Sequence, residues 1–152
     1  MTFSSSSRQD STEILTFKVN NTTFGIDIKY IDSVVEGLVK NKGIFKEKGL
    51  YSMAGYRDEV IPLIDMYAYL YNKENTQHTV SNHQIITKVK NSKIGLEVES
   101  IGSILSIDKS QILDVVPLLK NNLYMVNGFI QQKNDIISLL DMNEIYKFIS
   151  NS

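Results

Sequence analysis

Cysteine is absent from the 152 residues, and histidine occurs only as His78 and His83. The first absence excludes disulfides, thiol catalysis, iron–sulfur clusters and cysteine-based zinc sites. Two histidines are too few for a histidine cage around a metal, so neither a metal nor a cofactor is expected. Arginine is nearly missing: Arg8 and Arg57 stand against fourteen lysines, a background in which each arginine is more informative than usual. No charge of one sign dominates, because sixteen Lys and Arg face seventeen Asp and Glu for a formal charge of −1. A broad nucleic-acid surface needs a cationic excess, so nucleic acid is not an expected partner. No apolar run approaches the roughly 20 residues of a membrane span. Residues 1–12 are polar and Ser-rich, without the apolar stretch of a signal peptide. The chain therefore reads as a cytoplasmic globular protein without membrane insertion, with a loose polar tail over 1–12.

What is present is a strand-forming pattern. A hydrophobic content of 42% can fill a core at this length, as one domain or as two small intertwined ones. Leu15, Phe17 and Val19 alternate with Thr16 and Lys18. A turn at Asn20-Asn21 follows, and then Phe24, Ile26 and Ile28 alternate with Gly25, Asp27 and Lys29. That is a hairpin with one buried face. Residues 85–89, a turn at 90–92 and the alternation of Ile94, Leu96 and Val98 give a second hairpin.

The two hairpins begin two copies of one unit. Residues 25–35 lie over 95–105 at an offset of 70, apolar on apolar, with Asp27 on Glu97 and Ser33 on Ser103. Residues 60–66 lie over 136–142 at an offset of 76, and Gly55-Tyr56 is echoed by Gly128-Phe129. Two small β-modules of similar topology follow, built as barrels or a sandwich. A module of about 60 residues buries too little surface to stand alone, so the two are expected to share a core or exchange terminal strands. Residues 72–82 are polar and aperiodic and form the expected linker, with both histidines in or beside it. Near the end, Asp141 and Glu144 have the spacing of a capping box, and Ile145, Phe148 and Ile149 follow at helical spacing. A short closing helix over 142–150 is expected.

Chemistry is scarce. Asp65 and Asp141 end matching apolar runs, the arrangement in which two carboxylates could share a proton. They lack the small residue and glycine that let substrate approach, and they read better as helix N-caps. No phosphate-binding loop, dinucleotide fingerprint or nucleophile elbow appears. Lys40, Lys42, Lys46 and Lys48, diluted by Glu47, read as a solvated loop. An interaction module without catalysis is favoured. A small-barrel ligand-binding protein or hydrolase using Asp65 and Asp141 is the alternative.

The order of the segments carries a resemblance. It consists of the strand 14–19, residues 24–28 followed by 31–35, residues 55–66 with Arg57 five residues before Pro62, residues 93–101, residues 106–108 and the final run 136–141. Over about residues 13–149 this resembles the CheW family, the coupling proteins of bacterial chemotaxis. The resemblance implies an all-β fold of two five-stranded SH3-like barrels around a shared core. The first is placed approximately at 20–80, and the second at 84–140 plus the N-terminal strand 13–19. It implies a non-enzymatic adaptor joining methyl-accepting chemoreceptor tips to the regulatory domain of the histidine kinase CheA. Contacts with further CheW or CheV copies in arrays are also implied. An accessory CheW- or CheV-like coupling protein of another chemosensory pathway is the alternative within the family.

Residue by residue, the resemblance assigns receptor binding to Arg57, Gly95, Val98, Ile101 and Ile104, and kinase binding to Ile28, Ile31, Val34 and Val35. For Arg57 a fold-stabilising surface ion pair stands beside receptor contact. For Val98 plain core is the stronger reading. The chain departs from the family at Asp58, where Gly is usual, at Gly55 for Asn, at Ser52 for Gly and at Glu99 for Asp. Asp58 is expected to neutralise part of the charge of Arg57.

Overall fold

The computed structural model describes residues 10–41, 51–71, 82–119 and 125–151. Along them run β1 (Ser11–Val19), β2 (Thr22–Asp27), β3 (Ile31–Glu36), β4 (Lys40–Asn41), β5 (Tyr51–Tyr56), β6 (Glu59–Asp65) and helix α1 (Met66–Tyr71). They continue as β7 (His83–Val89), β8 (Ser92–Val98), β9 (Ser100–Asp108), β10 (Val126–Gln132), β11 (Asp135–Leu140) and helix α2 (Met142–Ser150). The strands form a five-stranded sheet, β10-β11-β2-β1-β9, and a six-stranded sheet, β3-β7-β8-β6-β5-β4, whose extra member is the two-residue β4.

Both leading hairpins form from local chemistry. Asn20 and Asn21 have φ of 52° and 59°. A tight hairpin turn with right-handed strand twist needs two such positions, and Asn tolerates them well. Their strands pair in register from Ile14↔Asp27 to Val19↔Thr22. The second hairpin turns at Lys90, with φ of 56°, and pairs from His83↔Val98 to Val89↔Ser92.

Each hairpin joins the other copy of the repeat. The β1–β2 hairpin sits between β9 and β11, whereas β7–β8 sits between β3 and β6. The joints are short parallel pairings, Leu139↔Gly25 on one side and Leu63↔Gly95 on the other. Glycine gives room at both: a Cβ on Gly25 would lie 3.1 Å from Leu139 Cδ2, and one on Gly95 2.8 Å from Leu63 Cδ1. The exchange makes the sheets divide differently from the expected 20–80 and 84–140 with 13–19. β2 stays with β1 in the five-stranded sheet, and β7–β8 belongs to the six-stranded one. The cause is that a hairpin held by a two-residue turn moves as a unit.

Two local expectations are corrected. Ile28 does not continue β2. The Asp27 carboxylate accepts the backbone N–H of Lys29 at 2.9 Å and starts a 3₁₀ turn at Ile28–Tyr30, which carries the chain from one sheet to the other. Ser11 and Thr12, placed in the loose tail, are strand residues paired with Asp108 and Ile107. Residues 1–9 and most of the expected linker, with His78, lie outside the described residues, as do Lys42, Lys46 and Lys48. His83 opens β7 and faces Glu36 at 3.5 Å.

One apolar cluster joins the sheets and helices. Phe17 and Phe24 from the first hairpin, Ile64 from β6, Ile85 and Leu96 from the second hairpin, and Met142 and Ile145 from α2 pack together. Phe17, Ile64, Ile85, Leu96 and Ile145 are wholly buried. Each such side chain contributes about 1.5–3 kcal/mol relative to exposure. The closing helix is capped at one end by Asp141, whose carboxylate accepts the N–H groups of Asn143 and Glu144 at 3.0 and 3.3 Å. The reciprocal half of the expected capping box is not made. The Asp141 N–H donates instead to the Met125 carbonyl at 2.8 Å, and Glu144 turns to Lys147.

Candidate functional site

Arg57 and Asp58 form the two-residue turn between β5 and β6, closed by the pairing Tyr56↔Glu59. Arg57 has φ of 54°, a left-handed conformation uncommon for a side chain of its size. Its guanidinium lies 4.9 Å from the centre of the Tyr56 ring, close enough for cation–π attraction. Lys93 Nζ, from β8, is 5.6 Å from the same ring. The Tyr56 ring is thus buried beneath two cations, with only 4% of the residue exposed.

The hydroxyl of Tyr56 works toward β3. It donates to Asp32 Oδ2 at 2.7 Å and accepts from Ser33 Oγ. β3 and β5 are separated by three strands in the sheet order, so this contact records how far the sheet has rolled. Arg57 Nη1 then faces Asp32 Oδ2 at 3.9 Å, while Lys93 Nζ donates to Glu59 Oε2 at 2.7 Å. The Tyr56 hydrogen bond is the main cause holding the Asp32 carboxyl below its ordinary pKa. Partial burial opposes it, and the charges of Lys93, Arg57 and Lys88 assist. Lys93 is raised above its ordinary value, chiefly by its hydrogen bond to Glu59. The acid that meets Arg57 is therefore Asp32, across the barrel, rather than its neighbour Asp58.

The other receptor-binding candidates are distributed differently. Gly95 and Val98 are buried in strand β8, Val98 at 1% exposure, and offer no surface to a partner. For Gly95 the reason is the close joint with Leu63 described above. Ile101 and Ile104 lie on β9 in the other sheet, opposite Phe17 and Leu15. Ile101 packs half-buried on the shared core, and Ile104 is 56% exposed. The Arg57 turn belongs to the six-stranded sheet and β9 to the five-stranded one.

The kinase-binding candidates follow the alternation of β3. Ile31 is half-buried against the shared core, as is Ile28 in the preceding turn. Val35 packs on a small cluster of Tyr56, Ile61 and Ile86. Val34 points outward at 43% exposure, between Asp32 and Glu36. Only Val34 of the four is an exposed apolar residue.

Sequence reasoning missed Asp32, Tyr56, Glu59 and Lys93, and also an apolar groove of about 350 Å³ on the second copy. Leu113, Val116 and Leu119 line it from the loop, and Phe129, Gln131 and Ile136 from β10 and β11. Leu118, beside it, is 87% exposed. The available signal was the aperiodic apolar run 112–119 around Pro117. Asp65 and Asp141, the candidate catalytic pair, are both occupied as helix caps: Asp65 Oδ1 accepts the N–H of Ala68 at 3.2 Å, and Asp141 holds α2. Among the described residues no three His, Cys, Asp or Glu gather as metal ligands, and no helix is long and apolar enough to cross a membrane.

Residues 13–149 match the family model described as the CheW-like domain. The chain is also similar in structure to the scaffolding protein TtCheW from Thermoanaerobacter tengcongensis, with a TM-score of 0.75 and 20% identity over 86% of this chain and 88% of that one. At that identity the likeness speaks for the fold, two SH3-like barrel subdomains with a short C-terminal helix. No curated protein matches the chain.

Proposed function

The chain belongs to the CheW-like domain family, and from that membership we propose that it is a non-enzymatic adaptor of bacterial chemotaxis. In this reading it sits in the cytoplasm at receptor arrays and couples chemoreceptor tips to the regulatory domain of the histidine kinase CheA. The observation that carries the reading is the turn at Arg57. At the position where the family uses an arginine for receptor coupling, the side chain is 66% exposed and its orientation is set by Tyr56 beneath it. A guanidinium placed this way keeps most of its donors available to a partner. Ile101 and Ile104 supply apolar area for the receptor on β9, and Val34 with the partly buried Ile28, Ile31 and Val35 forms the kinase edge.

The mechanism is one of area and geometry. A helical hairpin tip docks through an apolar stripe, and many weak contacts in an array add up by multivalency. Asp65 and Asp141 each cap a helix, which supports the adaptor reading over a hydrolase built on that pair.

Calorimetric titration against the regulatory domain of CheA and against a soluble chemoreceptor cytoplasmic fragment, both from the same cell, tests this. Saturable kinase binding, lost in Val34→Glu and retained in Arg57→Ala, supports the adaptor and its two surfaces. Receptor binding without kinase binding assigns an accessory role. Binding to neither, in a folded chain, removes the proposal.

A further inference from the structure

The two cations over Tyr56 are not equivalent. Lys93 is held by Glu59 at 2.7 Å with its side chain 17% exposed, so its charge is matched within the protein. Arg57 faces Asp32 at 3.9 Å, longer than a hydrogen bond, with its side chain 66% exposed. Asp32 is itself fixed, because its Oδ2 accepts the Tyr56 hydroxyl at 2.7 Å and its side chain is 22% exposed. The carboxylate therefore adds a negative charge close to Arg57 without consuming its donors. Any acidic side chain that approaches the guanidinium enters the field of Asp32 as well.

We infer that Asp32 sets how strongly this surface takes an acidic partner: it is a specificity-determining residue that weakens the docking of a carboxylate on Arg57. The inference rests on the docking reading above and adds a like-charge opponent built into the same site. Like charges about 5 Å apart near a solvated surface repel enough to cost a few-fold in affinity, and salt screens the effect. Glu59 plays no such part, because its charge is spent on Lys93 at hydrogen-bond distance. Among the described ion pairs the guanidinium faces Asp32, not Asp58 next to it in the chain.

The test is Asp32→Asn, which keeps an oxygen able to accept the Tyr56 hydroxyl and removes only the charge. Binding of the soluble chemoreceptor fragment is measured at low salt, about 25 mM, and at high salt, about 300 mM. This is done for the wild type, Asp32→Asn, Arg57→Ala and the double variant. The expected result is binding roughly threefold to tenfold tighter for Asp32→Asn at low salt. The gain should fall below about twofold at high salt and vanish in the Arg57→Ala background. Equal or weaker binding by Asp32→Asn, or the same gain without Arg57, would overturn the role given to Asp32 while leaving the docking reading in place. Wild-type binding that Arg57→Ala leaves unchanged, or no binding at all, would remove docking on Arg57 and the role of Asp32 with it.

Discussion

At the end of the β5–β6 hairpin stand Tyr56, Arg57, Asp58, Glu59 and Val60. At the matching end of β10–β11 stand Gln132, Lys133, Asn134, Asp135 and Ile136. The frame is shared: each turn has two residues and is closed by one cross-strand pair, Tyr56↔Glu59 and Gln132↔Asp135. Each turn begins with a cation and continues into an exposed apolar residue, Val60 at 68% and Ile136 at 58%. The residues differ at all five positions, and the change of kind is greatest at the first, Tyr56 against Gln132. Tyr56 supplies a ring under the cation and a hydroxyl to Asp32, so the first turn becomes a fixed, charged surface. Gln132 supplies neither, and the apolar groove around Phe129 and Ile136 dominates the second end. A repeat conserves backbone and core, and a single aromatic residue at the rim decides what kind of contact the rim can make.

The comparison holds only if both ends stand on one rigid body. Phe17 is the residue that tests this, because it is wholly buried in the cluster joining both sheets. Phe17→Ala is expected to cost about 3–5 kcal/mol, with both halves unfolding in a single urea transition seen alike by circular dichroism and tyrosine fluorescence. Two separated transitions would break the comparison, since each end would then belong to its own folding unit.

A smaller effect sharpens the role of Tyr56. The folded-state pKa of Asp32 lies below its ordinary value, so between the two values the unfolded chain binds more protons. The contribution of Asp32 to stability is therefore present above about pH 4 and is lost as pH falls through the folded value. Tyr56→Phe keeps the ring and removes the hydroxyl, the largest cause of the shift. The Asp32 carboxyl, followed by NMR titration, is expected to move up toward its ordinary value. Lys93, Arg57 and Lys88 should keep it from going all the way. Stability measured by urea midpoint should then fall less steeply on acidification than in wild type. An unmoved Asp32 titration would show that the cations, not the hydroxyl, set this site.

The parts of this architecture that depend on neighbours in sequence were legible. Alternation marked both leading hairpins, Asn20-Asn21 marked a turn, and Asp141 marked the start of α2. The internal repeat announced a fold that one copy could not complete alone. What was hidden depends on partners far along the chain. Nothing in the pattern of residues 25 or 95 says that a parallel neighbour 114 or 32 residues away will close on each glycine. The echo of Gly55-Tyr56 in Gly128-Phe129 is misleading for the same reason. The first pair ends a strand at its turn, whereas Phe129 lies opposite Ser138 in mid-strand, three residues short of the equivalent place. At the candidate site, Arg57 was singled out because arginine is rare in this chain and because the family resemblance expects one five residues before Pro62. Asp32 was not, since its partner Tyr56 becomes a neighbour only when the sheet rolls. Gly95 and Val98 were singled out by the resemblance, and both are buried, as their place in an alternating strand pattern also allows.

The smallest expected effect is the most direct control. Lys133 occupies the turn position of Arg57 in the second copy, with Gln132 in place of the tyrosine. Replacing either cation should change stability by no more than about 0.5 kcal/mol, as for most surface substitutions. Their effects on receptor-fragment binding should part: Arg57→Ala is expected to weaken it by about tenfold, a modest anchor's worth, whereas Lys133→Ala should stay within about twofold. A flexible, solvated lysine must be ordered by the partner, whereas Arg57 is already stacked on Tyr56, and prior ordering is what gives one contact more net affinity than another. Moving the aromatic residue tests the same point, because Gln132→Tyr places a ring under Lys133. If Lys133→Ala in the otherwise wild-type chain costs as much as Arg57→Ala, the two ends are interchangeable cationic tips, and Tyr56 confers nothing on the first.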